Sequence, residues 1–319
     1  MKVLLCSDRA TLAVKLLASQ LSDHDTIACP SDTIIEYLDS VDIVIPWMAN
    51  IDASIIASGH FGLVQEFGVG IETIDIEAAT RAGVWVAHVP GSLSGNANSV
   101  AEHAMMLMLM LSRHMACTQQ SSKAEDWSAK TGFSLWGKTA CIVGLGDIGT
   151  ALAVRLKAFG MRLVAVRQHP ERGALPETGI EKVYGSNALS EALSIADYVI
   201  LCAEYSKNTH HLINQNTLAA IKPGAFLINV ARGGLVDTDA LEAALEKGHL
   251  AGAGLDVVES PTDSLSQQNV ILTPHIAATT EISYNGIATV VADNIKRYAR
   301  GEQPRYTVNN PKKLRSLSK

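Results

Sequence analysis

Gly144-Leu145-Gly146-Asp147-Ile148-Gly149 lies near the middle of the chain and directly follows the apolar run 140–143. The run predicts a β-strand, and residues 150–159 predict a helix that ends at Gly160. In this setting the G-x-G-x-x-G spacing is typical of a dinucleotide-binding loop. The first glycine permits a tight turn, the second lets a pyrophosphate approach the backbone, and the third allows close helix–strand packing. The pyrophosphate would lie at the positive end of the helix. A glycine-rich loop without a ligand is the alternative.

The residues before the glycine loop have an α/β pattern of their own. Short apolar runs predict strands at 3–6, 41–46, 63–65 and 85–88, with helices between them at 11–21, 52–57 and 76–82. A methionine-rich helix is expected at 99–113, where it suits a core or a subunit interface. After the loop, strands are expected at 162–166, 198–202, 225–230, 252–257 and 270–272, and helices at 189–195, 215–221 and 237–247. A last helix at 283–300 is expected to return to the first domain.

These patterns predict an α/β protein built from two doubly wound parallel-sheet domains. A Rossmann dinucleotide-binding domain, residues 100–281, is expected to be inserted into a flavodoxin-like substrate domain formed by residues 1–99 and 282–319. A chain of 319 residues with 47% hydrophobic residues is long enough for two such cores.

Charge and cysteine usage exclude several classes of protein. The formal net charge is -6 and no long basic run occurs in the body of the chain, so we expect no nucleic-acid partner. The most apolar helical run, 104–111, is too short to span a bilayer, so we expect no membrane partner. The five cysteines are scattered without the spacing of metal ligands, and the N-terminus starts directly with a predicted strand. We therefore expect a reduced, cytoplasmic protein without a metal site.

Three further segments stand at the ends of predicted strands, where open α/β sheets bind their ligands. Arg232 lies between an apolar strand and two glycines, and its fork of donors suits a carboxylate, although a structural ion pair is the alternative. Asp256 and Glu259 end the next strand, and His275 follows Pro274 at the end of the last one. The other nine histidines are interpreted as structural.

Together these segments resemble the D-isomer-specific 2-hydroxyacid dehydrogenase family over nearly the whole chain. The stretches that carry the resemblance are Phe67-Gly68-Val69-Gly70, Ile74-Asp75, Val89-Pro90-Gly91, Ser99-Val100-Ala101-Glu102-His103 and Trp136-Gly137-Lys138-Thr139, besides the glycine loop and the arginine and histidine segments. The family's inserted cofactor domain accounts for the position of the glycine loop.

The resemblance implies a role for each matching residue. Arg232 would bind the substrate carboxylate and polarise its carbonyl, His275 would be the acid/base, and a glutamate would pair with the histidine. Backbone amides of Val69 and Gly70 would help to hold the carboxylate. The expected cofactor contacts are Gly144, Gly146, Asp147, Ile148, Gly149, Arg167, Ala231 and Asp256.

Two positions depart from the family pattern. The family places its glutamate five residues after the strand aspartate, but that position is Pro261 here. Glu259 lies two residues earlier, which keeps it on the same face of an extended chain, so we predict Glu259 as the partner of His275, with Asp263 as the alternative. At the end of the second Rossmann strand, Arg167 stands where NAD-specific members carry an acid, which favours NADP over NAD.

The chain is accordingly expected to be an NAD(P)-dependent oxidoreductase of a small D-2-hydroxy acid and its 2-oxo acid, and to form a homodimer. Between Lys15 and Arg81 there is no Lys or Arg, and the loop Pro46-Trp47-Met48-Ala49-Asn50 has no cation for a phosphate, so we expect an unphosphorylated substrate such as glyoxylate or hydroxypyruvate. The alternatives are a phosphoglycerate dehydrogenase-like enzyme and a non-catalytic, NAD(P)-sensing protein of the corepressor kind. Oxidation of formate or phosphite ranks lower.

Overall fold

The structure, a computed structural model, describes residues 1–7, 11–115, 131–260, 265 and 269–315. The chain divides into a first unit, Met1–Asn96 with Thr280–Lys319, and a second unit, Ala97–Thr279. The predicted boundaries, after residues 99 and 281, lie three and two residues further along the chain than the boundaries of these units. The assignment of the first unit to the substrate and of the second to the cofactor stays a prediction.

The first unit contains a parallel sheet of five described strands in the order β2-β1-β3-β4-β5. This order is that of flavodoxin-like folds, as expected. The elements, in chain order, are β1 (Lys2–Cys6), α1 (Thr11–Gln20), β2 (Asp25–Cys29), α2 (Ile34–Tyr37), β3 (Ile43–Ile45), α3 (Ala53–Ser58), β4 (Leu63–Gln65), α4 (Ile76–Arg81) and β5 (Trp85–Ala87).

The second unit contains a parallel sheet of seven described strands in the order β12-β11-β10-β9-β6-β7-β8. The order reverses between β9 and β6, which is the switch point of a Rossmann sheet. Its elements are α5 (Asn96–Ser112), β6 (Thr139–Val143), α6 (Asp147–Ala158), β7 (Arg162–Val166), β8 (Ile180–Tyr184), α7 (Leu189–Ser194), β9 (Tyr198–Leu201), α8 (Gln215–Ala220), β10 (Ala225–Asn229), α9 (Thr238–Glu246), β11 (Leu250–Leu255) and β12 (Val270–Leu272).

The last helix, α10 (Glu281–Ala299), returns to the first unit as predicted. Thr280 caps its N-terminus by accepting a hydrogen bond from the backbone N–H of Ser283. Its apolar face packs with β1 and α1, because Ile287, Val291 and Ile295 share one buried cluster with the residues of those elements. Within the described part of the chain, none of the helices combines the length and the apolar character needed to cross a membrane.

Three elements of the structure are absent from the sequence prediction: β2, α2 and β8. Both missed strands lie at an edge of their sheet, where they are partly exposed and carry few consecutive apolar residues. The third element, α2, is a single turn of four residues, too short to show a helical period. The doubly wound architecture is unaffected, because the missed strands only extend each sheet outward.

Candidate active site

The glycine loop lies between β6 and α6, at the switch point of the second sheet. Gly144 has a φ of 102°, and a Cβ there would collide with the backbone of Ala203. A Cβ on Gly149 would collide with the carbonyl oxygen of Gly144, so close packing of the helix on the strand requires this glycine. Around Gly146, the N-cap of α6, a Cβ would meet nothing within 4 Å among the described residues. The open cradle at a helix N-terminus fits a pyrophosphate.

Next to the glycine loop, at the end of β7, Arg167 is half-buried. Its Nη1 donates to the carbonyl oxygen of Gly173 at 2.9 Å, and its backbone N–H donates to the carbonyl oxygen of Tyr184 at 3.0 Å. The first contact holds the guanidinium, and the second anchors the backbone of Arg167, at the end of the second Rossmann strand. His169 and Arg172, further along the same loop, are exposed. The predicted cation is thus fixed in position by the backbone around it.

The loops that carry the other predicted residues follow three adjacent strands, β10, β11 and β12. Arg232 comes after β10, Glu259 after β11 and His275 after β12. Because the strands are parallel, their carboxyl ends meet at one edge of the sheet, and the glycine loop after β6 opens at the same edge. The topology of the second unit therefore brings these predicted residues to one edge.

The backbone of Arg232 is held by the buried side chain of Asn229. The Asn229 Nδ2 donates to the carbonyl oxygen of Arg232 at 2.9 Å, and its Oδ1 accepts from the N–H of Ala231 at 3.1 Å. The Arg232 Nη1 donates to the carbonyl oxygen of Ala231 at 2.8 Å, and the side chain is half-buried. Both polar backbone groups of Ala231 are therefore used within the loop, and its predicted cofactor contact stays a prediction.

Asp256, only 1% exposed, organises the loop that bears His275. Its Oδ1 accepts from the Thr273 hydroxyl at 2.6 Å and from the N–H of Ile276 at 2.9 Å, while its Oδ2 accepts from the N–H of Ala277 at 2.9 Å. Three donors from one loop thus converge on a single buried carboxylate, which satisfies its charge. The cofactor contact expected of Asp256 stays a prediction, and this anchoring role was not predicted from the sequence.

His275 is exposed and has a φ of 55°, in the left-handed region that favours glycine. Its backbone N–H donates to the carbonyl oxygens of Asp256 at 2.8 Å and Thr273 at 3.0 Å. A histidine held in this conformation by the surrounding hydrogen bonds is typical of a functional position. Together with the neighbouring Pro274, the hydrogen bonds to Asp256 fix the backbone position from which the imidazole projects.

His103, on α5, completes the network behind this loop. Its Nε2 lies 2.9 Å from the Thr273 hydroxyl oxygen and 3.4 Å from Oδ1 of Asp256. Burial lowers the pKa of the His103 imidazole below its usual value, and the Asp256 carboxylate offsets part of that effect. Because the Thr273 hydroxyl donates to Asp256, it accepts from a neutral His103 protonated at Nε2. The structural interpretation of this histidine fits these contacts.

Glu259 has a partner that the sequence did not predict. Its Oε2 lies 2.7 Å from Nε2 of His211, which belongs to the loop after β9. A Cβ on Gly233 would collide with the backbone of Val258 and Glu259, so the glycine beside Arg232 lets this segment approach closely. The pairing of Glu259 with His275 stays a prediction, and the alternative, Asp263, lies outside the described residues.

In the first unit, Val69 and Gly70 lie in the turn after β4, with Val69 40% exposed. The Val69 carbonyl oxygen lies 3.2 Å from Nδ1 of His88. Trp47, after β3, has its ring 5.0 Å from that of Phe67. The ring of Trp47 is therefore half-buried against the first unit, whereas Met48 is 42% exposed.

Comparisons with known proteins identify the class. The family model described as "D-isomer specific 2-hydroxyacid dehydrogenase, NAD binding domain" matches residues 105–277. The chain is 36% identical over 295 residues to a glyoxylate reductase from Pyrococcus furiosus, covering 88% of this chain and 86% of that protein. It is 38% identical over 255 residues to a D-3-phosphoglycerate dehydrogenase from Methanocaldococcus jannaschii, covering 78% of this chain and 48% of that protein. A crystal structure of a Thermus thermophilus protein superposes with a TM-score of 0.85 at 31% identity, covering 97% of this chain and 100% of that one.

The matched range contains the glycine loop, Arg232, Glu259 and His275, and it takes in more than half of the 319 residues. The expected resemblance is confirmed, and with it the expectation of a nicotinamide-dependent oxidoreductase. The chain belongs to the D-isomer-specific 2-hydroxyacid dehydrogenase family.

Proposed function

We propose that this enzyme interconverts a small, unphosphorylated 2-oxo acid of the glyoxylate or hydroxypyruvate kind and the matching D-2-hydroxy acid. The observation that carries the proposal is the arrangement at the edge of the second sheet. Loops bearing Arg232, Glu259 and His275 follow three neighbouring strands, and the buried Asp256 carboxylate binds the last of these loops. A carboxylate-binding cation and an acid/base group are the two protein functions that the reduction of a 2-oxo acid requires.

Arg232 would hold the substrate carboxylate through its guanidinium and polarise the neighbouring carbonyl group. Asn229 supports this role, because its side chain fixes the backbone on both sides of the Ala231–Arg232 peptide. A fixed cation orients the carbonyl and stabilises the negative charge that develops on its oxygen. The bound nicotinamide supplies the hydride.

His275 would give a proton to the carbonyl oxygen during reduction and accept it back from the hydroxyl group during oxidation. The backbone of His275 is held by hydrogen bonds to Asp256 and Thr273. The attachment point of the ring is therefore fixed, although the side chain is exposed to solvent. The Glu259 carboxylate, as its proposed partner, would favour the protonated imidazole that reduction needs.

The first unit supports a substrate without a phosphate. Residues 16–80 contain no Lys or Arg, and the loop after β3 presents the exposed side chain of Met48 beside the half-buried Trp47. A phosphate carries close to two negative charges and would find no cation in this stretch. The relative from P. furiosus, named glyoxylate reductase, agrees with a small substrate.

For the cofactor we propose NADPH over NADH. Support comes from Arg167, whose guanidinium is tied to the Gly173 carbonyl at the end of β7. A carboxylate at this place would bind the ribose hydroxyls and repel a 2′-phosphate, whereas a cation attracts it. The homodimer and the cytoplasmic location likewise remain proposals.

A panel of 2-oxo acids, assayed with NADH and NADPH, tests the function directly. We expect turnover of glyoxylate or hydroxypyruvate with NADPH, and near-complete loss of turnover in Arg232→Ala with nucleotide affinity retained. Arg162→Ala is the matched control, because Arg162 is exposed at the opposite end of β7 and pairs with Glu181 at 3.0 Å. Nucleotide binding without turnover of any 2-oxo acid would instead favour the cofactor-sensing alternative.

A further inference from the structure

Three potential metal ligands converge in the second unit: His210, His211 and Glu259. One ring nitrogen of each histidine and one carboxylate oxygen all lie within 4.8 Å of one another. His210 and Glu259 are exposed and His211 is half-buried, so an ion from solvent can reach all three. No metal site was expected from the spacing of the cysteines, and a separation of 48 residues between His211 and Glu259 hides this cluster from local sequence patterns.

The backbone holds the two contributing segments close together. The N–H of His211 donates to the carbonyl oxygen of Gly234 at 2.8 Å, and Asn214 Nδ2 donates to the carbonyl oxygen of His211 at 3.0 Å. A Cβ on Gly233 would collide with the backbone of Glu259. Both ligand-bearing segments therefore pack against the Gly233-Gly234 pair, and neither depends on a long side chain reaching across solvent.

The two imidazole rings are stacked, with centroids 3.8 Å apart and an angle of 25° between their planes. This stacking places one ring nitrogen of each histidine within 4.8 Å of the other, close enough for both to bind one ion. The Tyr205 hydroxyl oxygen lies 3.2 Å from Nδ1 of His210. A hydrogen bond at Nδ1 leaves Nε2 available as the ligand, which is how metal-binding histidines are oriented in many proteins.

We propose that His210, His211 and Glu259 form a binding site for a divalent transition-metal ion with the chemistry of zinc. Two imidazole nitrogens with one carboxylate oxygen is a donor set that zinc accepts, whereas magnesium and calcium prefer oxygen ligands. Tetrahedral zinc with ligands at about 2.0–2.2 Å separates its ligand atoms by roughly 3.4 Å. The 2.7 Å separation of His211 and Glu259 need only open slightly, because the ion would replace the proton that they share.

Occupancy of this site would inhibit the enzyme. This consequence rests on the proposed function, in which Glu259 supports the acid/base histidine, since a zinc-bound carboxylate can no longer do so. His210 has no part in the proposed reaction, so its removal would abolish the inhibition without changing the turnover measured in the absence of metal.

Equilibrium dialysis and titration calorimetry with zinc chloride on the tag-free, full-length protein test the site. We expect one zinc ion per chain, no binding of magnesium at the same concentration, and an affinity at least about tenfold lower for His210→Ala. The matched control is His169→Ala, which removes an exposed histidine that lies 3.2 Å from Glu171 and is remote in sequence from the cluster. Circular dichroism of both variants establishes that they are folded.

Absence of zinc binding, or equal zinc affinity of the wild-type protein, His210→Ala and His211→Ala, would overturn the proposal. Binding that His210→Ala weakens, without inhibition of the wild-type enzyme, would support the metal site and contradict the proposed role of Glu259. The binding measurement needs no turnover, so failure of the site is distinguishable from failure of the proposed function.

Discussion

The backbone N–H of His275 donates to the carbonyl oxygen of Asp256 at 2.8 Å, which joins the ends of two adjacent strands directly in front of the proposed acid/base group. The Asp256 carboxylate strengthens this connection by accepting three more hydrogen bonds from residues 273–277. A buried aspartate thus holds the left-handed backbone of His275 in place.

Asp256→Asn is expected to lower both kcat and stability. An amide keeps the shape of the side chain but turns an NH₂ group toward backbone donors, which leaves a buried donor unsatisfied at a cost of about 1–3 kcal/mol. We expect a kcat reduced by about tenfold or more, because an acid/base residue that is positioned less firmly slows the chemical step. Thermal unfolding and steady-state kinetics measure the two effects.

The matched control for this variant is Asp237→Asn. Asp237 also follows a strand of the same sheet, but its side chain caps α9 by accepting from the N–H of Ala240 at 3.1 Å. Asparagine is an equally good N-cap, so this variant should retain its stability and its kcat. An Asp256→Asn enzyme indistinguishable from the control would contradict the anchoring role.

His103 predicts a pH dependence of stability. Burial lowers the pKa of this imidazole in the folded state. Between the lowered pKa and the ordinary value of about 6.5, the folded protein therefore binds fewer protons than the unfolded chain. The contribution of neutral His103 to the free energy of unfolding is therefore complete above this pH window, and it is lost as the pH falls through the window. His103→Gln should flatten the decrease of Tm between about pH 7 and pH 5, as measured by scanning fluorimetry. The exposed His169→Gln serves as the control, and an unchanged slope in His103→Gln would contradict the assignment.

Glu259→Gln is expected to shift the pH optimum of reduction downward. The protonated form of the acid/base histidine would lose a stabilising carboxylate, so it would persist only at lower pH. The pH profile of kcat/KM for reduction measures the shift. If the profile stays unchanged and Asp263→Asn shifts it instead, Asp263 is the partner of His275, and the Glu259–His211 contact has another role.

Arg167→Asp should reverse the cofactor preference. The change removes a cation that attracts the 2′-phosphate and supplies a carboxylate that binds the ribose hydroxyls, so KM for NADPH should rise about tenfold or more while the use of NADH improves. Arg162→Ala, at the start of the same strand, should leave both values unchanged. A wild-type enzyme that already works better with NADH would contradict the interpretation of Arg167.

The sequence allowed the architecture to be predicted because both sheets are parallel and largely buried. The inner strand β7 has the predicted bounds, since it contains four consecutive buried apolar residues beside turn residues. The edge strands β2 and β8 lack such runs and could only be found from their pairing with β1 and β7.

The site was predictable where one short segment carries the signal and not where distant segments meet. The glycine loop and the Asn229–Asp237 segment each indicate a function through local spacing. The His211–Glu259 contact and the His103–Thr273–Asp256 network join residues far apart in sequence, so they depend on strand order. The two-residue departure before Pro261 also left the choice between Glu259 and Asp263 open.

The central claim is the oxidoreduction of a small, unphosphorylated acid, and the kcat/KM values for D-glycerate and 3-phospho-D-glycerate, measured side by side with NADP⁺, test it most directly. Without a cation between residues 16 and 80 of the first unit, the phosphorylated acid should be the poorer substrate by about tenfold or more. A clear preference for 3-phosphoglycerate would contradict the account.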